Sequence, residues 1–322
     1  MTIKEAAAAW GISERRVNEL CKTGRIANAH KEGRQWFIPN GTPKPMDKRS
    51  YRAIAFTDGT SVRKPLPIGI SDYRDACRNY YYVDKTMLIK DFLEERPKVS
   101  LFTRPRRFGK TLNIDMLRTF FEKTAEDTSC YFKDKKIWFY QELCHVHQGK
   151  YPVIFLTFKD VKCASWDETL QMLRKLIAQE FRRHDELASS AALSDYEKIE
   201  YSLLATNKAD EISYQMSLQT LTFLLHKHHN VAPIVIIDEY DTPIQQGHMN
   251  GFYDAVIGFM RNLFSGGLKD NAHLSYGFLT GILRVAKESI FSGLNNLKII
   301  LHRYIHHNPG LQLCDLFLGI RS

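Results

Sequence analysis

The chain has 322 residues, 44% hydrophobic and 25% charged, a balance that excludes wholesale disorder, collagen-like repeats and a disulfide scaffold and leaves room for roughly two domains. No apolar run approaches the roughly 18 residues of a membrane span, and Met1–Trp10 carries Lys4 and Glu5 where a secretory signal would have an apolar core. The formal charge is +9, of which residues 1–52 hold +6 (11 Lys and Arg against 5 Asp and Glu), so the basic excess is concentrated at one end. Such a local excess favours an anionic partner, most often nucleic acid, although charge alone also fits simple solubility. The six cysteines, Cys21, Cys77, Cys130, Cys144, Cys163 and Cys314, include no C-x-x-C pair. Free thiols in a reducing cytosol, and hence a cytoplasmic protein, are the expectation.

In chain order, residues 1–45 come first. Thr2-Ile3-Lys4-Glu5 has the form of a capping box, so a helix starts there and runs to Gly11. Ser13 is the N-cap of a second helix, in which Val17, Leu20 and Cys21 form the buried stripe and Glu14, Arg15, Arg16, Asn18 and Lys22 point outward. Arg25–His30 and Arg34–Ile38, around Lys31-Glu32-Gly33, read as the two strands of a hairpin. Helix, turn, helix and hairpin in this order resemble the winged helix-turn-helix of MerR- and excisionase-type DNA-binding domains. The resemblance is carried by Ile3-Lys4-Glu5-Ala6-Ala7, Trp10–Val17 and Gly33–Pro39. It implies double-stranded DNA as partner, with Arg15, Arg16 and Asn18 toward the groove and Lys31 and Arg34 on phosphates. A single copy binds weakly, so a sequence-specific reader is expected to be a homo-oligomer. The competing reading is a small helical cap that packs on the main domain or binds another protein.

Residues 46–65, with Pro65 and polar neighbours after Pro43 and Pro45, read as a linker, and 66–298 as one long alternation of helices and strands. Within it Val99–Phe102 reads as a buried strand leading into Thr103-Arg104-Pro105-Arg106-Arg107-Phe108-Gly109-Lys110-Thr111. A helix with Ile114, Leu117, Phe120 and Phe121 on its buried face follows. Strand, loop and helix ending in G-K-T are the context of a phosphate loop: Gly109 lets the backbone approach, Lys110 neutralises β- and γ-phosphates, and Thr111 offers a hydroxyl to Mg²⁺. Arg104 stands where that motif usually has its first glycine. Arg106, Arg107 and Phe108 complete the candidate ATP-binding loop, although the arginines also fit an ordinary basic turn.

Three clusters between these motifs have simpler explanations. Cys144, His145 and His147 fit no zinc spacing and read as a surface loop. Met172, Leu173, Leu176, Ile177 and Phe181 lie at helical spacing and form a core face. His226, His228 and His229 complement the dipole at a helix end.

Pro233–Ile237 is a continuous apolar run, as in a central parallel strand, and ends in Asp238-Glu239-Tyr240-Asp241. Asp238 there is placed to hold Mg²⁺ opposite Thr111, and Glu239 to polarise the attacking water. A further strand, His273–Leu279, ends at Thr280-Gly281, and Thr280, at the tip of a strand expected beside the acidic one, is the candidate sensor of the γ-phosphate. Arg284 and Lys287 then either reach phosphate or a neighbouring subunit, or are surface charge at a helix start.

Five stretches together resemble the bacterial AAA-ATPase-like family of P-loop proteins: Leu66–Tyr73, Tyr81-Tyr82-Val83-Asp84-Lys85-Thr86, Arg104–Thr111, Ile237–Pro243 and Thr280–Asn296. The resemblance covers about residues 66–298 and implies an ATPase using ATP and Mg²⁺, in which the Arg-Pro-Arg-Arg-Phe-Gly-Lys loop is the usual form. It stops after Lys298. Ile299–Ser322 matches neither the further helices nor the nuclease-like domain that commonly follows in relatives, and reads as a divergent, truncated or frame-shifted tail. The expected fold is α/β: a P-loop NTPase with a central parallel sheet, preceded by a small winged helix-turn-helix. Three functions fit: an ATPase acting on DNA or a DNA-bound partner, a DNA-tethered nucleotide switch with negligible turnover, and a DNA-binding protein whose NTPase part is a remnant.

Overall fold

A strand buried on both faces must be apolar at successive positions, and its odd and even residues then serve different layers. The computed structural model describes residues 1–22, 26, 29–33, 35–39, 42, 64–103 and 109–282, with 297–300 described by backbone and the Lys298 side chain. The sequence divides into two compact units, 1–62 and 63–322. Arg34, the loop residues Arg104, Arg106, Arg107 and Phe108, Arg284 and Lys287, nearly all of the linker and the tail from 301 lie outside the described residues.

The first unit contains α1 (Ile3–Trp10), α2 (Glu14–Lys22) and an antiparallel ribbon of β1 (His30–Glu32) and β2 (Gln35–Phe37). Thr2 and Glu5 form the expected capping box, and Gly11 ends α1 in the left-handed region at φ 62°. Ala6, Ala7, Val17, Leu20, Cys21, Ile26 and Ile38 make its core. The first ribbon strand lies later than the sequence suggests. Gly33, at φ 59°, sets the turn, so Gln35–Phe37 pair with His30–Glu32 rather than with residues before His30. Ile26 is instead buried in the core.

The second unit is built on a parallel sheet of β3 (Val99–Thr103), β4 (Val153–Thr157), β5 (Ile234–Asp238), β6 (Tyr276–Gly281) and β7 (Leu297–Ile300), in the spatial order β4-β5-β6-β3-β7. Alternate strand residues separate into two cores. Val99, Leu101, Ile154, Leu156, Val235, Ile237 and Leu279 face one layer, with α7 (Trp166–Arg183), α8 (Asp195–Ala205), α9 (Glu211–His229), α10 (Thr242–Asn250) and α11 (Tyr253–Leu268). Phe102, Val153, Ile234, Ile236 and Phe278 face the other, with α3 (Tyr73–Asn79), α4 (Met87–Glu95), α5 (Lys110–Phe121) and α6 (Gln141–His147). The result is an α/β protein with its parallel sheet covered on both sides, as an all-parallel sheet requires. Among the described residues no helix is long and apolar enough to cross a membrane.

Three local expectations change. Cys144, His145 and His147 sit on α6 rather than in a loop, because Cys144 is buried and its thiol donates to the Ile137 carbonyl (3.4 Å). The strand expected from His273 begins at Tyr276, since the Asn271 side chain accepts from His273 N–H (2.8 Å) and holds a turn there. The strand β7 crosses the expected boundary at 298, pairing Ile299 with Leu101 and Ile300 with Phe102.

The outer edge of β4 is closed by side chains. Glu180 of α7 accepts from Phe155 N–H (2.7 Å), and Arg183 donates to the Val153 carbonyl and to Glu180 and Glu122. Just before the strand, Tyr151 pairs with Glu122. Glu180 and Arg183 thus satisfy backbone groups that would otherwise lie on an open sheet edge.

Candidate functional site

The parallel register aligns the carboxyl ends of the strands: Thr103 lies beside Gly281, Phe102 beside Thr280, and Ile237 beside Leu279. Open α/β sheets bind ligands at these ends. The phosphate-loop strand β3 and the acidic strand β5 are not neighbours, because β6 runs between them. The tip of β6, with Thr280, therefore lies beside the acidic tip of β5.

Gly109 precedes α5 in the left-handed conformation (φ 71°). Glycine reaches it at no steric cost and supplies no side chain to cap the helix. Lys110 begins the helix and is buried, and Thr111 follows on the first turn. The Thr111 hydroxyl donates to Asp238 Oδ2 (3.1 Å), while the Thr280 hydroxyl donates to Asp238 Oδ1. One carboxylate, only 1% exposed, thus joins the start of α5 to the tips of β5 and β6. The Thr280 hydroxyl in turn accepts from Glu239 N–H (3.3 Å).

Glu239 is a non-glycine residue at φ 52°, a conformation that costs on the order of 1–3 kcal/mol and gathers at functional sites. Its carbonyl accepts from Thr242 N–H (3.1 Å), and its carboxylate from the Thr242 hydroxyl (3.3 Å). The chain thereby turns sharply from β5 into α10 with the glutamate side chain presented at the strand tip. Asp241, also 1% exposed, accepts from Ile282 N–H (2.9 Å) and Gln245 Nε2 (2.8 Å), tying the end of β6 to α10. A Cβ on Gly281 would stand 2.6 Å from Tyr240 Cε1 and 2.8 Å from Asp241 Oδ1, so only glycine fits that junction. One turn beyond Thr111, Asp115 accepts from Tyr73 N–H (2.7 Å); burial pushes its carboxyl above the ordinary range against that bond.

Of the residues singled out in the sequence, Gly109, Lys110 and Thr111 lie at one helix start, and Thr111, Asp238, Glu239 and Thr280 are joined through hydrogen bonds. Arg106, Arg107, Phe108 and Arg284 fall outside the described residues. In the first unit Arg15 and Lys31 are exposed, Asn18 is half-buried on α2, and Arg16 pairs with Glu19 (2.8 Å). Sequence reasoning passed over Asp241, Thr242 and Lys85. Asp241 and Thr242 sit in the same Asp-Glu-Tyr-Asp-Thr run, and a second aspartate three residues after the first was their signal. The Lys85 ammonium lies 3.6 Å from where a Cβ on Gly109 would stand.

A parallel α/β sheet with a glycine–lysine–threonine helix start bonded to an aspartate at another strand's tip defines a P-loop-like protein. The chain belongs to the AAA-ATPase-like family, described as predicted AAA-ATPases, whose model matches residues 67–291. It is also 27% identical over 239 residues to an uncharacterized protein in the vnfD 5′ region of Azotobacter chroococcum mcd 1. That match covers 73% of this chain and 40% of the relative, so the chain spans less than half of that protein's length. No solved structure gives a significant match.

Proposed function

We propose that this chain is a Mg-ATP-binding ATPase whose N-terminal unit binds duplex DNA, so that nucleotide binding and hydrolysis act on DNA or on a DNA-bound partner. The observation that carries the nucleotide half is the chain of bonds from Thr111 through Asp238 to Thr280. Hydroxyl and carboxylate oxygens converging at a helix N-terminus are the hard donors that suit Mg²⁺. Thr111 and Asp238 would hold the ion, which neutralises charge on the phosphates. Lys110 and the first N–H groups of α5 bind the β- and γ-phosphates, with Arg106, Arg107, Phe108 and Arg284 proposed from sequence alone as further contacts. Glu239 orients the attacking water and accepts its proton; Thr280, bonded to both Asp238 and the Glu239 backbone, reports the γ-phosphate to the acidic tip.

The DNA half rests on the basic excess of residues 1–52 and on the helix, helix and ribbon order of the first unit. Arg15, Arg16 and Asn18 would approach the groove and Lys31 and Arg34 the phosphates, in the manner of a winged helix-turn-helix.

Nucleotide thermal shift and phosphate release, run together on two variants, test the reading. Lys110→Ala removes the phosphate cation and should abolish both Mg-ATP binding and the stabilisation it brings. Glu239→Gln keeps the size of the side chain but not its basicity, and should retain binding while turnover falls by roughly 10²–10⁴. A Glu239→Gln protein with unchanged turnover would favour a nucleotide switch over an enzyme. Absence of any shift with millimolar Mg-ATP in the wild type would sink the nucleotide half altogether.

A further inference from the structure

The glutamate at the tip of β5 is held at two levels. Its backbone is fixed by the Thr280 hydroxyl, which accepts from Glu239 N–H (3.3 Å), and by Thr242 N–H, which donates to the Glu239 carbonyl (3.1 Å). These bonds hold the residue at φ 52°. Its side chain is held separately. Glu239 is half-buried, and among the described residues its carboxylate accepts one hydrogen bond, from the Thr242 hydroxyl to Oε2 (3.3 Å). An ionised carboxylate has room for about four such bonds, so Oε1 keeps its full capacity to accept from water.

Thr242 is in an unusual position to make that bond. It opens α10 and is 8% exposed. A threonine at a helix start ordinarily turns its hydroxyl to backbone groups. Here the cap position belongs to Asp241, whose side chain makes no cap bond and instead accepts from Gln245 Nε2 (2.8 Å) and Ile282 N–H (2.9 Å). Pro243 follows and has no N–H to offer. The Thr242 hydroxyl therefore donates back to the preceding glutamate rather than into its own helix. A glutamate without such a bond spreads its carboxylate over several rotamers, whereas a general base must stay within hydrogen-bond reach of the proton it takes. Anchoring one oxygen narrows that spread and leaves the other for water.

We propose that Thr242 is the positioning residue of the general base: its hydroxyl anchors Glu239 Oε2, so that Oε1 is the oxygen that takes the proton of the attacking water. The proposal rests on the ATPase reading above. In that reaction the water oxygen bonds the γ-phosphorus, the bond from phosphorus to the β–γ bridging oxygen breaks with its electron pair going to ADP, and the water's proton goes to Oε1. Thr242 acts through the glutamate, so its hydroxyl bears on the rate and not on the binding of Mg-ATP.

The test is a double-mutant cycle on the full chain: wild type, Thr242→Val, Thr242→Ser, Glu239→Gln, and Glu239→Gln combined with Thr242→Val. Mg-ATP affinity, phosphate release and the nucleotide-free melting temperature are read for each. Valine keeps the shape of threonine and removes the hydroxyl. Thr242→Val should bind Mg-ATP as wild type does and release phosphate roughly ten- to hundred-fold more slowly, the loss of one hydrogen bond to a charged group. Thr242→Ser should recover most of that rate. Added to Glu239→Gln, Thr242→Val should slow release no further, because the base it positions is already gone. Wild-type turnover in Thr242→Val overturns the proposal, and so does a serine variant as slow as the valine one. If Thr242→Val also lowers the melting temperature, the cycle decides: a full further loss of rate on top of Glu239→Gln makes Thr242 a structural residue of α10 and overturns the proposal, and no further loss supports it. If Glu239→Gln itself keeps wild-type turnover, the ATPase reading fails first and takes this one with it; if Glu239→Gln is slow and Thr242→Val is not, only this proposal falls.

Discussion

The two units carry their charge in opposite ways. In the first, a core of small and medium side chains supports a surface on which Arg15, Lys22 and Lys31 are exposed, and Arg16 pairs with a neighbouring glutamate on its own helix. In the second, the two aspartates of the site are buried: Asp238 and Asp241 are each 1% exposed and each accept at least two hydrogen bonds. Exposed charge acts at a distance and is screened by salt. Buried, mutually bonded charge acts through position and is insensitive to salt, but it is coupled to the fold. Substitutions in the first unit should therefore change binding without changing stability, and those in the second should change both.

The largest effect is expected at the centre of the buried set. Asp238→Asn keeps the side chain's shape but replaces one acceptor oxygen of the pair that serves Thr111 and Thr280. Turnover should fall on the order of 10²–10³-fold, and the thermal shift with ATP should lose its dependence on Mg²⁺. Retained Mg²⁺ dependence would remove Asp238 from the metal site.

In the exposed set, Arg15→Ala combined with Arg16→Ala should weaken duplex DNA binding and lower the slope of log affinity against log salt by up to about 2. Stability should stay within the change expected of surface substitutions, about 0.5 kcal/mol each. An anisotropy titration at several salt concentrations with an unchanged slope would leave the first unit as a protein-binding or packing module.

Gly281→Ala sharpens the comparison from the packing side. The added methyl meets Tyr240 and Asp241 at distances no relaxed contact permits, so a cost of about 1–3 kcal/mol is expected. Because the same contact ties β6 to α10, phosphate release should fall with it, whereas the DNA affinity proposed for the first unit should not move.

The smallest effect is a pH dependence away from the site. Burial opposes charge on His184, but its bonds to Glu180 and Glu186 prevail and raise its pKa above the ordinary 6.5. Burial likewise opposes charge on Glu186, yet bonds from His184 and His229 hold its carboxyl well below the ordinary 4.5. The histidine's contribution is complete below 6.5 and is lost as pH rises through its raised value; the glutamate's is complete above 4.5 and is lost as pH falls through its lowered value. Melting temperature should accordingly peak between the two, and His184→Gln should flatten the alkaline limb. An alkaline limb that keeps its slope in that variant would assign it to other groups.

What the sequence made legible followed from local rules. Val99–Phe102 and Ile234–Ile237 were recognisable as central strands because they are apolar at successive positions, and Gly109-Lys110-Thr111 because its spacing is local. That Thr280 stands on a strand beside the acidic one was expected, and β6 does pair with β5, but the bond from its hydroxyl to Asp238 was not legible, because side-chain contacts across strands are not encoded by spacing along the chain. The left-handed turn at Glu239 was hidden for a different reason: the sequence signals such conformations through glycine or asparagine, and this one is imposed on a glutamate by Thr280 and Thr242. The first ribbon strand was misplaced because Arg25–His30 has strand-like length, while the turn at Gly33 decides which residues pair.

The closure of β4 by Glu180 and Arg183 protects that margin of the sheet from other chains. Intermolecular strand exchange and fibril nucleation both need a row of free N–H and carbonyl groups, and along Tyr151–Phe155 that row is already engaged by Glu122, Glu180 and Arg183. At the opposite margin, β7 has one strand neighbour among the described residues. Cutting the Arg183 latch would free the β4 row and make that margin a site of intermolecular strand pairing.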